Sequence, residues 1–269
     1  MQGLILGIVQ GVTEFVPISS SGHLVLVPWL LSWENPGLAF DVMLHLGTLL
    51  AVVAFFWRDL LELTVGALLS IKERSLAGEP RRKIAWLILV GTIPAAVIGF
   101  ALEGFFEVLF GAPFWVGVLM LCTGVLLAVS ERWSRQSLEV HEMTWLDALL
   151  VGLGQALAIA PGISRAGATI SAGLWRGLHR EAAARYSFLL ATPIILGTGV
   201  FKSRDLLSSP LLSGSPLALA AGFLAASISG FLSIRFLLAY LGRHRLYPFA
   251  IYCWIVGAGT ILLALLRGA

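Results

Sequence analysis

A carboxylate, three adjacent hydroxyls and an imidazole stand close together in Gln10-Gly11-Val12-Thr13-Glu14-Phe15-Val16-Pro17-Ile18-Ser19-Ser20-Ser21-Gly22-His23, a stretch otherwise apolar enough for lipid. Ionisable groups are expensive at such depth, so a functional site is the first reading. A second stretch of similar build, Gln155-Ala-Leu-Ala-Ile-Ala-Pro161-Gly162-Ile-Ser164-Arg165-Ala166-Gly167-Ala-Thr169, adds an arginine. In each stretch a break, at Pro17 and the serines or at Pro161-Gly162, starts a new half-helix inside the membrane, near Ser20-Ser21 and near Ser164-Arg165. Helix N-termini carry free N–H groups and about half a positive charge, so two of them converging with Arg165 make an anion site. Ser19, Ser20, Ser21, Ser164 and Thr169 can cap these ends or donate to phosphate oxygens, alongside the backbone at Gly22 and Gly167. Gln10 and Glu14 lie four apart on one helix face with Gly7 and Gly11, near the C-terminal end of the first half-helix, where carbonyls and a carboxylate favour a cation. A divalent cation, Mg²⁺ or Ca²⁺, bridging Gln10 and Glu14 to a phosphate or diphosphate fits that chemistry. His23, in the first turn after Gly22, is placed to act as general acid, base or nucleophile.

Structural readings stand beside these. A Ser/Gly-rich break can be a packed kink, and Glu14 with Arg165 can be a buried ion pair, though such a pair needs no surrounding serines and histidine. His45 reads as a hydrogen-bonded packing histidine. Trp29, Trp33, Trp57, Trp86, Trp115, Trp133 and Trp145 read as interface anchors near span ends.

The elements that position these residues follow from hydropathy. The 269 residues are 58% hydrophobic and 12% charged, with a mean hydropathy of +0.91, which excludes an ordinary soluble domain. Apolar runs near Ala39–Trp57, Ile84–Leu102, Pro113–Ser130, Ala183–Phe201, Leu217–Leu238 and Tyr247–Leu266 predict six spans. The first apolar run has no basic segment before it and no small-residue cleavage site after it, so it reads as part of the mature fold. Cys122 and Cys253 fall inside spans and read as packing residues. The net charge of +3 speaks to orientation in the membrane, and no nucleic-acid partner is expected.

Aligning the chain with itself at an offset of 145 pairs Gly7 with Gly152, Gln10 with Gln155, Ile18 with Ile163, Ser19 with Ser164 and Gly22 with Gly167. At 146, Arg58-Asp59-Leu60-Leu61 pairs with Arg204-Asp205-Leu206-Leu207. The chain therefore reads as one membrane domain, residues 1–269, of two pseudo-repeat halves at about 1–135 and 136–269. The linker Arg58–Lys83 holds Arg58, Lys72, Arg74, Arg81, Arg82 and Lys83, which places it in the cytoplasm by the positive-inside rule. Arg132, Arg135, Arg176, Arg180, Arg185, Arg243 and Arg245 come out on the same side; Lys202 and Arg204 are exceptions. Sidedness holds only if each polar stretch is a re-entrant helix-loop-helix, the first dipping in from outside and the second from the cytoplasm. The expected fold is all-α: six transmembrane helices plus two re-entrant hairpins in an inverted-topology repeat.

Leu6-Gly-Ile-Val-Gln10-Gly-Val-Thr-Glu14-Phe-Val-Pro-Ile-Ser-Ser-Ser-Gly-His23 and Pro161-Gly-Ile-Ser-Arg165-Ala-Gly-Ala-Thr169 resemble the two signature motifs of the undecaprenyl-diphosphate phosphatase family, also called bacitracin-resistance proteins. Phe188-Leu-Leu-Ala-Thr-Pro193 and Pro248-Phe-Ala-Ile-Tyr252 extend the resemblance along the chain. It implies a hydrolase of the plasma membrane that acts on an acid anhydride. The reaction converts undecaprenyl diphosphate to the monophosphate carrier lipid for cell-wall synthesis, with a divalent cation and a site open to the extracytoplasmic side. It also implies Gln10 and Glu14 as the paired acidic motif, Ser20 and His23 as reactive or phosphate-contacting groups, and Arg165 as the phosphate clamp. Gln10 stands where the motif often has Glu, and Ala166 where it usually has Ser, which removes one carboxylate and one hydroxyl. The expected partners are the lipid substrate and the surrounding lipids, with a homodimer as the assembly this reading allows. A transporter or flippase of a polyprenyl phosphate is the competing reading, since inverted repeats with broken helices also build carriers. His23 and the serines tell against pure transport.

Overall fold

Where the sequence predicts six apolar spans, the computed structural model has, among the described residues, six helices long and apolar enough to cross a membrane. It describes residues 1–34, 37–102, 104, 109, 111–202 and 216–268. The described helices are α1 (Gln2–Phe15), α2 (Ser20–Leu31), α3 (Leu38–Glu73), α4 (Pro80–Ala101), α5 (Pro113–Trp133), α6 (Trp145–Leu157), α7 (Arg165–Trp175), α8 (Arg180–Phe201), α9 (Pro216–Leu241) and α10 (Tyr247–Arg267). A 3₁₀ turn at Val140–Glu142 precedes α6. The partner of the Arg58–Leu61 repeat, residues 204–207, lies outside the described residues.

The third helix runs past its expected end at Trp57 to Glu73, 36 residues in all, with a non-helical residue at Phe56. No glycine or proline interrupts residues 57–65, and Leu60, Leu61 and Leu63 continue an apolar face. At about 54 Å the helix exceeds a bilayer core, so its last turns reach into the basic linker. There Glu62 pairs with Arg81, and Glu73 with Arg82 at 2.5 Å.

Four helices, α1, α2, α6 and α7, have 11 to 14 residues. At about 17–21 Å they are too short to span, and they form two broken pairs. Backbone groups at such breaks need partners, because lipid supplies none. Ser19, at φ 73°, caps α2 by accepting from Gly22 N–H at 3.2 Å. Ser164 caps α7 in the same way, accepting from Gly167 N–H at 3.0 Å. Thr123 of α5 closes the second break, donating to the Gly162 carbonyl at 2.9 Å and accepting from Ser164 N–H at 3.1 Å. Gly162 has φ 107°, and a Cβ there would meet the Val116 carbonyl at 2.5 Å, so only glycine fits.

Small residues let the broken pairs pack deeply. Gly3, Gly7 and Gly11 of α1 lie against Ala218, Gly222 and Ala226 of α9, in parallel register. In the other broken pair, Gly152 of α6 lies against Gly91 of α4, also in parallel register. By contrast α3 runs antiparallel to α8, with Gly199 beside Leu46 and Arg185 beside Asp59. The α5–α10 contact is antiparallel too, through Gly117 with Gly257 and Gly124 with Trp254. The core beneath the first break is aromatic: Phe15 and Phe188 meet edge to face at 5.2 Å, and Tyr186 donates to the Leu87 carbonyl at 2.8 Å. Large apolar side chains such as Val97, Phe100, Ile228, Leu232 and Ile255 are exposed on the outer surface, as lipid-facing positions require.

Candidate active site

Glu14, at the end of α1, is 5% exposed, and its carboxylate lies between the starts of both second half-helices. Oε1 accepts from Arg165 Nη2 at 2.9 Å and from Nε at 3.3 Å. Oε2 accepts from Ser20 Oγ at 2.6 Å and from Gln10 Nε2 at 3.0 Å. Ser20 and Arg165 are the first residues of α2 and α7, so the carboxylate sits where two helix dipoles favour negative charge. Arg165 Nη1 also donates to the Ser187 carbonyl at 3.3 Å, which fixes the guanidinium plane. A buried pair of this kind costs desolvation that only good geometry offsets, and here the carboxylate has four donors.

Glu14, Ser20, Ser21, Asp41, His45, Arg165 and Thr198 form the polar wall of a cavity of about 270 Å³, completed by Leu24, Val42 and apolar residues of α8 and the α6–α7 loop. Among the sequence-predicted residues, then, the structure brings together Gln10, Glu14, Ser20, Ser21 and Arg165. Ser19, Gly22, Ser164, Gly167 and Thr169 build the breaks instead of lining the cavity. The hydroxyls of Ser19 and Ser164 cap α2 and α7, and Thr169 meets Ser187 Oγ at 2.6 Å and donates to the Arg165 carbonyl at 2.7 Å. A Cβ on Gly22 would come within 3.3 Å of Gly162 Cα, so at these glycines the two breaks touch.

His23 is 8% exposed and lies outside the cavity wall. Its Nδ1 bonds the Ser19 carbonyl at 2.7 Å, its Nε2 bonds Tyr252 Oη at 2.7 Å, and the two rings stack. The structure brings it to the α2 cap and to α10, and not to the Glu14–Arg165 pair.

Both polar stretches fall inside the residues, 3–259, that match the family model described as bacitracin resistance protein BacA. The chain belongs to the BacA family. Curated relatives named undecaprenyl-diphosphatase are similar over nearly the whole length. That of Methanosphaera stadtmanae is 45% identical over 273 residues, covering 98% of each chain. Those of Desulforudis audaxviator and Pelobacter propionicus are 44% and 42% identical, covering 99% and 100% of this chain and 98% of their own.

In this BacA-family chain the imidazole that reaches the cavity is His45, which the sequence reading assigned to packing. Its Nδ1 bonds the Asp41 carbonyl at 2.8 Å; its Nε2 stands 3.7 Å from Glu14 Oε2, with the side chain 34% exposed. With the carbonyl as acceptor Nδ1 carries the proton, which leaves Nε2 a free lone pair when the ring is neutral. Asp41 and His45, four apart on the span after the first break, were the available signal: two ionisable residues on one face of an apolar helix. Among the described residues no group of three His, Cys, Asp or Glu is arranged to hold a metal. Gln10 Oε1, fully buried, has no hydrogen-bond partner, while Nε2 of the same amide faces Glu14.

Proposed function

We propose that this BacA-family protein is an integral membrane phosphatase that hydrolyses undecaprenyl diphosphate to the monophosphate, recycling the carrier lipid of cell-wall synthesis. The observation that carries the reading is the Glu14 carboxylate held between Ser20 and Arg165 at two converging helix N-termini. Ser20 Oγ donates to Glu14 Oε2 at 2.6 Å, the geometry of a nucleophile beside its general base. Ser20 Oγ attacks the terminal phosphorus while its proton passes to Glu14. The bond to the bridging oxygen breaks, and the electron pair leaves with the prenyl monophosphate. Water then releases phosphate from Ser20, giving one proton to His45 Nε2 as Glu14 returns its proton to Ser20. Arg165 and the helix ends stabilise the charge on the phosphoryl oxygens, usually the largest contribution in such sites. His23 acts at one remove, holding the Ser19 carbonyl and so the α2 cap.

Gln10 Oε1, which has no hydrogen-bond partner, and Glu14 would hold a divalent cation, and such an ion would supply charge neutralisation on the diphosphate. The pseudo-repeat supports an inverted arrangement, because the matched helices α3 and α8, and α5 and α10, run antiparallel. Family membership supports a plasma-membrane location, and the charge distribution supports a site open to the extracytoplasmic side. The wall of the cavity reaches Asp41 near the start of α3 and Gly199 near the end of α8, at the opposite end of α3 from the basic linker Arg58–Lys83.

Purified protein in detergent should release phosphate from farnesyl or undecaprenyl diphosphate with Mg²⁺ or Ca²⁺ present, and form an acid-stable phosphoserine at Ser20. No phosphate release would sink the phosphatase reading. An acid-labile phosphoryl-enzyme would move the attack to an imidazole. The antiparallel matched helices also suit a carrier, for which Ser20→Ala protein in proteoliposomes would still move labelled polyprenyl phosphate.

A further inference from the structure

Gln155 of α6 is 2% exposed, and neither Oε1 nor Nε2 has a hydrogen-bond partner. An unpaired buried amide is costly, and native folds keep one for a reason. Its repeat counterpart, Gln10, spends its amide on Glu14; the residue four after Gln155 is Ile159, which offers no polar atom. Gln155 lines a cavity of about 470 Å³ between α4, α6 and α8, whose wall also includes Thr92, Thr198, Arg165 and Lys202 among apolar residues. Ile159, Arg165, Ile194 and Thr198 also line the Glu14 cavity, so Arg165 faces both spaces. Phe100 and Phe201, at the ends of α4 and α8, line the outer part of the Gln155 cavity and are themselves 74% and 56% exposed towards lipid.

We infer that the Gln155 cavity is the subsite for the chain-proximal phosphate of a prenyl diphosphate and the first isoprene units beyond it, with Gln155 donating to that phosphate. The inference rests on the phosphatase reading above and gives it a direction. A diphosphate with its terminal phosphorus at Ser20 can extend its second phosphate past Arg165, which lines both cavities. The space that continues there is lined by Gln155, by the hydroxyl residues Thr92 and Thr198, by apolar side chains and, after the end of α8, by Lys202. A neutral amide suits this position: it donates to the phosphate without competing with Glu14 for Arg165, and its oxygen can accept from a bound water.

The test compares wild type with Gln155→Leu, close in size and apolar. The constants to measure are KM for farnesyl diphosphate and inhibition by farnesyl monophosphate and by inorganic phosphate, together with the melting midpoint. Loss of one hydrogen bond to a charged group should raise KM and the farnesyl monophosphate constant together by about tenfold. The inorganic phosphate constant should not rise with them, and the melting midpoint should not fall. Equal affinity of both proteins for farnesyl monophosphate, or a parallel loss for all ligands with a lower midpoint, overturns the assignment. Gln155→Glu sets a like charge against the phosphate and should weaken farnesyl monophosphate further than Leu does; wild-type affinity in that variant also overturns it. Calorimetric binding of farnesyl monophosphate needs no turnover, so a wild-type protein that binds it but releases no phosphate would defeat the function and still test the site.

Discussion

Arg165→Lys separates a phosphate clamp from a structural counter-ion. The guanidinium makes two bonds to Glu14 Oε1, at 2.9 and 3.3 Å, and one to the Ser187 carbonyl at 3.3 Å, with 14% of the side chain exposed. A lysine keeps the charge and can restore one contact to Glu14, whose other oxygen retains Ser20 and Gln10. The fold should therefore lose about 1–2 kcal/mol, the worth of one or two weakened hydrogen bonds. The planar fork that can address two phosphoryl oxygens is lost altogether. If that resembles removal of one preorganised donor from an oxyanion site, the cost in the transition state is roughly 2–4 kcal/mol, or about 30- to 1000-fold in kcat/KM. The assay is phosphate release from farnesyl diphosphate in detergent, paired with thermal unfolding of the same preparation. Arg165→Ala is the control: it strands Glu14 in a buried site, which costs about 3–5 kcal/mol, and it should not purify as a monodisperse protein. Near-full activity in the Lys variant would refute the clamp and leave Arg165 as the counter-ion of Glu14.

Three further outcomes follow from particular contacts. His45→Ala should lower kcat by about 100-fold or more while leaving the melting midpoint near wild type, and should slow decay of a trapped Ser20 phosphoryl-enzyme; His23→Ala should act mainly on the midpoint, because both its nitrogens bond the protein. Equal kinetic losses at fixed stability in the two variants would contradict this division. Gly152→Ala forces a Cβ within 2.3 Å of the Gly91 carbonyl and should cost roughly 1–3 kcal/mol, whereas Gly259→Ala, with open space around it, should gain up to about 1 kcal/mol; thermal unfolding reads both signs. Glu131, with its side chain 2% exposed, accepts from Arg180 and from Leu246 N–H at 3.2 Å and ties the ends of α5, α8 and α10 together. Glu131→Ala should cost about 3–5 kcal/mol yet leave turnover per folded molecule unchanged, and a selective loss of kcat would place Glu131 in the chemistry instead.

The sequence by itself determined the membrane class, the six spans and the two breaks. A run of some 20 apolar residues, and a proline or serine cluster that interrupts one, act through neighbours along the chain. It also singled out Glu14, Ser20 and Arg165, since a carboxylate and a guanidinium are too costly in lipid to stand without each other or a ligand. Tertiary structure decided which polar groups are left free. Ser19 and Ser164 look like phosphate donors in the chain, yet their hydroxyls turn inward to cap α2 and α7. His23 looks reactive, but Tyr252, 229 residues away, takes one nitrogen and the Ser19 carbonyl the other. His45 looks like packing, and the meeting of α3 with α1 and α8 leaves its Nε2 beside Glu14 in an open cavity. The repeat pairs Gln155 with Gln10, but only the fold leaves one amide bonded and the other without a partner. The physical reason is twofold: Ser19, Ser164 and Gln10 are spent on partners three or four residues away, which only the local backbone geometry reveals, whereas the fates of His23 and His45 depend on helices packed across from them, whose residues come from distant parts of the chain.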